Sequence, residues 1–231
     1  MTKGRINEKA FTLAEVLITL GIIGVISAIT IPSLLTKVRY VRDSAILKED
    51  FSILKQMMLS ANDDGAMGEI VVGNNMDEMK KWFNTYFLPY IKVVNVCYGT
   101  SGCFASKIKT SNGSIMTSNI PCGWQSLAFT LNNGSYVCMD DFGDSRFGVI
   151  PNGQTIGILV DINGDKNPNQ LGKDIFAFVF KDESLVPGGY DMTQYQINAN
   201  CSEKCSSGPY CGTYCTQKAV QNGYKLPVYG K

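Results

Sequence analysis

Residues 11–31, FTLAEVLITLGIIGVISAITI, form an apolar run of 21 residues broken by a single charge, Glu15. Wound as a helix, such a run is about 31 Å long and matches the hydrocarbon core of a bilayer. A carboxylate inside a spanning helix costs about 2.5–3.5 kcal/mol on insertion scales, so a chain that retains one points to its use. The plainer alternative places Glu15 at headgroup depth in an ordinary signal anchor. No second apolar segment of spanning length follows Pro32, so the remainder lies on one side of the membrane.

The helical pattern continues past the run. In SLLTKVRYVRDSAILKEDFSILKQMMLSANDDG, residues Leu34, Val38, Val41, Ala45, Phe51, Leu54, Met58 and Ala61 recur at steps of three and four, with one slip. Lys37, Arg42, Lys48, Glu49 and Lys55 occupy the remaining surface, and Asn62-Asp63-Asp64-Gly65 supplies a stop. Helix formers on both sides of Pro32 predict a kink there, not an end. The expectation is one helix over residues 11–64, transmembrane over 11–31 and amphipathic beyond, about 75 Å long.

The flanks add a resemblance. MTKGRINEKA is a short polar leader with Lys3, Arg5 and Lys9, followed by Phe11-Thr12-Leu13-Ala14-Glu15, the apolar body and Pro32. This segment resembles the N-terminus of type IV pilins and type II secretion pseudopilins. The resemblance implies a leader of residues 1–10, cleavage between Ala10 and Phe11 by a prepilin peptidase, and N-methylation of Phe11. Ala10 stands where the family usually has Gly. It also implies that Glu15 is an assembly contact, pairing with the methylated N-terminus of a neighbouring pilin or pseudopilin subunit. A secretory signal peptide has a shorter apolar core ending at a cleavage site, and does not fit this run.

Composition bounds the rest. The 231 residues are 45% hydrophobic with a formal net charge of +1, which suits one anchored globular head and gives no pull on nucleic acid. Lys3, Arg5 and Lys9 precede the span, and Lys37, Arg39 and Arg42 follow it, so the positive-inside count does not orient it. Cysteines do better. All eight (Cys97, Cys103, Cys122, Cys138, Cys201, Cys205, Cys211, Cys215) follow the span in Gly- and Ser-rich surroundings, which places residues 65–231 outside the cytoplasmic membrane.

Within that head, Met76–Tyr90 reads as an amphipathic helix capped by Asn75 or Asp77, with Trp82, Phe83, Tyr86 and Phe87 read as core. Ser126–Leu131 and Ser135–Met139 flank Asn132-Asn133-Gly134, a strong hairpin signal. Thr155–Asp161 and Asp174–Phe180 are further β-rich runs, and Ile91–Cys97 is a possible addition. The expected fold is α+β: the long helix packed on an antiparallel sheet of about four strands, with a cysteine-rich C-terminal loop region over 201–215.

There is no histidine, which removes Ser-His-Asp and Cys-His catalysis and every His-ligated metal site. No phosphate-binding Gly loop is evident either, so the chain reads as a non-enzyme. One loop carries metal-like chemistry. Asp161, Asn163, Asp165 and Asn167 alternate as in the opening of a calcium loop, and Asp174 can close the ring. Gly stands at the fourth loop position instead of the sixth, and Gly172 replaces the closing Glu. The alternative is a turn rich in Asn, Asp, Gly and Pro for conformational reasons alone. Asp161, Asn163, Asp165 and Asp174 are the expected Ca2+ ligands.

In the tail, Cys201-x3-Cys205-x5-Cys211-x3-Cys215 is spaced more loosely than zinc knuckles, so disulfides are favoured over zinc. Cys201–Cys215, Cys205–Cys211, Cys97–Cys103 and Cys122–Cys138 are the simplest pairs, although eight cysteines allow 105 connectivities. Two functions follow: a structural subunit of a type IV pilus or secretion pseudopilus, or a membrane-anchored or filament-tip module for calcium-dependent adhesion.

Overall fold

The computed structural model describes residues 11–69, 75–99, 102–116, 122, 126–140, 145–150, 155–206 and 208–226. The leader and Ala10 lie outside this set. Contacts divide the chain into two compact units, Met1–Arg39 and Tyr40–Lys231, and the boundary falls inside the first helix.

That helix, α1, spans Leu13–Asp63 with Pro32 inside it. Proline removes the amide that would bond to the carbonyl of Ala28, yet the helix continues on both sides. The Thr36 hydroxyl donates to the Pro32 carbonyl at 2.9 Å. In the first unit the apolar side chains are exposed along the whole span. Among the described residues, α1 is one helix long and apolar enough to cross a membrane.

In the second unit the character of α1 changes. Leu47, Asp50, Leu54, Met57, Met58 and Ala61 are buried at helical spacing. The apolar face read from sequence began at Leu34, but Leu34, Val38 and Val41 are exposed. Periodicity marks an apolar face without saying what covers it, and within the second unit the fully buried positions begin at Leu47.

The sheet is a meander of six antiparallel strands in sequence order. They are β1 (Val93–Tyr98), β2 (Leu127–Leu131), β3 (Tyr136–Asp140), β4 (Ile156–Asp161), β5 (Ile175–Lys181) and β6 (Ser184–Pro187). Asn132-Asn133-Gly134 makes the β2–β3 turn, with Gly134 at φ +91°. Two edge strands join the four expected: β1, which falls on the possible strand read over residues 91–97, and β6, which was not read. Asp182 and Glu183 turn β5 into β6 with φ of +47° and +57°.

Alternation along the strands feeds two cores. Phe129, Met139, Ile158, Phe176 and Phe178 face α1 and the second helix, α2 (Met76–Tyr86); Trp82 and Phe83 of α2 and Phe87 at its C-cap are buried as expected, and Tyr86 is half-buried. Asn75 caps α2, accepting from Asp77 N at 3.0 Å. A 3-10 turn, Leu88–Tyr90, follows it around Pro89. Ala128, Leu159, Ala177 and Val179 face the other way, under Phe104, Ile108, Phe147 and Val149 from loops. Both faces are therefore covered, which explains why residues 175–180, IFAFVF, are apolar throughout and not alternating. The chain closes with α3 (Gln194–Asn200) and α4 (Cys215–Gln221). Beyond α4 the Tyr224 ring lies 5.7 Å from Phe51, and Leu226 N donates to Ser44 Oγ at 3.0 Å, so the tail straps α1.

Candidate functional site

Two places concentrate polar chemistry. The first is the start of α1. Thr12 N and Thr12 Oγ1 both donate to Glu15 Oε2 at 2.8 Å, and Glu15 N donates back to Thr12 Oγ1 at 3.3 Å. This is a reciprocal capping box: Thr12 ends the chain's extended entry, and Glu15 satisfies an amide that the helix start leaves open. The one charge of the apolar run is thus held by its own first turn, beside an exposed Phe11.

The second is the loop between β4 and β5. Asp161, at the end of β4, is fully buried, and Asp174, just before β5, is nearly so. Asp174 is well bonded: Oδ1 accepts from Gln170 N at 2.6 Å, and Oδ2 from Asn169 N at 2.9 Å and Asn163 Nδ2 at 3.1 Å. Asp161 Oδ1 accepts from Asn163 N at 3.2 Å, and the Gly164 amide also bonds the carboxyl. Its Oδ2 is buried without a partner, as are Asn163 Oδ1 and Asn169 Oδ1. Burial first, and the Asp174 carboxylate second, push the Asp161 carboxyl up to about 9. Burial also raises Asp174 above the ordinary carboxylate range.

These donors are all oxygen, with two carboxylates among them, the set a hard divalent cation takes. Among the described residues no group of three His, Cys, Asp or Glu side chains converges. Any cation here would therefore draw on amide oxygens as well. Asp165 is exposed, although its charge reaches Asp161 and adds to the upward shift. Asn169 was missed in the sequence. The residue is half-buried, and its buried Oδ1 and positive φ of 49° set it apart only in the folded structure.

The cysteines pair as Cys97–Cys103, Cys122–Cys138, Cys201–Cys215 and Cys205–Cys211. The last two enclose a C-terminal cap over residues 201–215. Asn200 holds it from inside, with Oδ1 accepting from Gly212 N at 2.9 Å and Tyr214 N at 3.0 Å.

With this geometry in place, the N-terminal segment finds a match: residues 5–31 fit the family described as the prokaryotic N-terminal methylation motif. The chain carries a prepilin signature. No curated protein and no solved structure matches the chain. The prepilin motif covers the leader end, Phe11, the Thr12–Glu15 capping box and the apolar run as one unit. The motif and a helix long and apolar enough to cross a membrane thus share one segment of the chain. Thr12 was not singled out from sequence, though the T-x-x-E spacing before an apolar run is a capping-box pattern.

Proposed function

We propose that this chain is a filament subunit of a type IV pilus or a type II secretion pseudopilus. In this reading a prepilin peptidase cuts between Ala10 and Phe11, and the new N-terminus is methylated. The head then stands outside the cytoplasmic membrane, while α1 packs among neighbouring subunits. The observation that carries the proposal is the methylation motif over residues 5–31 joined to a helix whose apolar residues lie exposed. Leu34, Leu35, Val38 and Val41 have no cover of their own, as a helix awaiting neighbours requires. Mass spectrometry of the mature protein tests the processing step. A methylated Phe11 at the N-terminus is expected, and an intact Met1 would defeat the proposal.

The buried oxygens of the 161–174 loop favour a second reading of the head, as a calcium-dependent binding module borne by the same anchor. Asp161, Asn163, Asn169 and Asp174 would hold Ca2+, and Asp165 would add surface charge nearby. Three buried oxygens without partners support this, since such groups are destabilising unless something bonds them. Calcium titration of the full chain in detergent tests it, and absence of binding at millimolar calcium would remove this reading and leave the filament reading untouched.

A further inference from the structure

The loop is wired to the C-terminal cap through one residue. Gln170 N donates to Asp174 Oδ1, so its backbone belongs to the cradle. Its side chain points the other way, Nε2 donating to the carbonyls of Thr110 at 2.9 Å and Ser111 at 3.2 Å, all buried. Lys109 N donates to Asn169 O, and Leu171 N donates to Lys109 O, both at 2.8 Å, which docks the 108–116 segment edgewise on the loop. Ser111 passes the connection on. Its N donates to Cys211 O at 2.9 Å, and its hydroxyl reaches the carbonyls of Asn200 at 3.1 Å and Ser202 at 2.8 Å. Asn112 Nδ2 donates to Cys205 O at 2.8 Å, so this short segment touches both ends of the Cys205–Cys211 bridge and the residues flanking Cys201.

The approach is close as well as bonded. Gly212 has φ +103°, and a Cβ there would sit 2.8 Å from Leu171 Cβ and 3.0 Å from Ser111 Cβ. Only glycine lets cap, segment and loop meet at this point.

We infer that cation occupancy of the 161–174 loop is coupled to the order of the disulfide-bounded cap, with Gln170 as the positioning residue between them. The inference rests on the calcium reading of the loop given above. A cation that bonds Asp161 Oδ2, Asn163 Oδ1 and Asn169 Oδ1 fixes residues 169–174. Gln170 can then leave its bonds to Thr110 and Ser111 only by opening the cradle. Ligand binding to the closed state thereby protects the cap as well as the loop. The bridges limit how far the cap can stray; the cation sets how often it opens.

The test uses the full chain in detergent. Calcium binding is measured by calorimetry, and hydrogen exchange is followed at Cys211–Tyr214 with and without the metal. Exchange in wild type should slow by up to about 100-fold when calcium is a hundredfold above its dissociation constant. Gln170→Leu keeps the backbone donor to Asp174 and should bind calcium within about threefold of wild type, with the cap's protection lost. Ser111→Ala removes only the hydroxyl bonds and should lose part of the protection; it carries the test if the Leu variant does not fold. Binding without any change in cap exchange overturns the coupling, and so does protection that persists in both variants. No binding at all overturns the calcium reading itself, which is a separate failure seen in the calorimeter alone.

Discussion

The two halves of α1 each carry a carboxylate among apolar residues, and the two acids are handled in opposite ways. Glu15 lies in the exposed half and is satisfied by its own turn, through Thr12. Asp50 lies in the buried half, where Asn133 of the β2–β3 turn donates to Oδ1 at 2.7 Å and Ser135 adds a second hydrogen bond to the carboxyl. A local cap moves with its residue, so Glu15 can change surroundings without unfolding anything. A tertiary bond binds Asp50 to one fold. In one helix, then, a charge held locally suits a contact that is exchanged between partners, and a charge held by the sheet suits a fixed seat.

The comparison breaks most visibly at Glu15. Under the filament proposal, Glu15→Ala should leave the protein in the membrane fraction and abolish filaments, since it removes the carboxylate that would pair with a neighbouring subunit's N-terminus. Electron microscopy and shearing of surface material read the outcome, and normal filaments would sink the assembly role. Paired truncations of the two halves come next. Leu54→Ala should destabilise the detergent-solubilised chain by about 2–5 kcal/mol, as a buried leucine does, whereas exposed Leu34→Ala should stay within about 0.5 kcal/mol. Equal effects in denaturant unfolding would erase the distinction between the halves.

Asp50 sharpens it through pH. Burial pushes its carboxyl from 3.8 up to about 6, against hydrogen bonds from Asn133 and Ser135 and with added repulsion from Glu49. The folded state therefore holds a proton that the unfolded state has released between these values. Stability from this group is complete below about pH 4 and is lost as pH rises toward 6. Asp50→Asn should remove that dependence and stabilise the chain at pH 7 by roughly 2–3 kcal/mol, measured as the difference between two unfolding series. The smallest effect is expected at Thr12. Thr12→Val removes the cap, worth about 1 kcal/mol, and should speed amide exchange over Leu13–Val16 about fivefold without loss of membrane insertion.

Much of this architecture was legible. The long helix announces itself by its apolar run and its three-and-four spacing, and Asn132-Asn133-Gly134 announces the β2–β3 hairpin. The edge strand β6 was not legible. Its turn puts Asp182 and Glu183 in the left-handed region without a glycine, and four residues ending in Pro187 carry no strand pattern. Asp50 was hidden because a charge on a helix reads as surface until the covering sheet is known. The oxygen-rich spacing of Asp161 and Asn163 was readable. Asn169 and Gln170 were not, because their importance comes from burial and from partners about 60 residues away, such as Thr110 and Ser111.

One further consequence lies in the order of the cysteines. The widest bridge spans 16 residues, and each of Cys97–Cys103 and Cys122–Cys138 closes before the next pair begins. The last two are nested, the inner Cys205–Cys211 within Cys201–Cys215. A chain threaded N-terminus first into an oxidising space can thus finish the first two bridges in turn before the nested tail pair arrives. For the exported head proposed above, folding and export would run in the same direction.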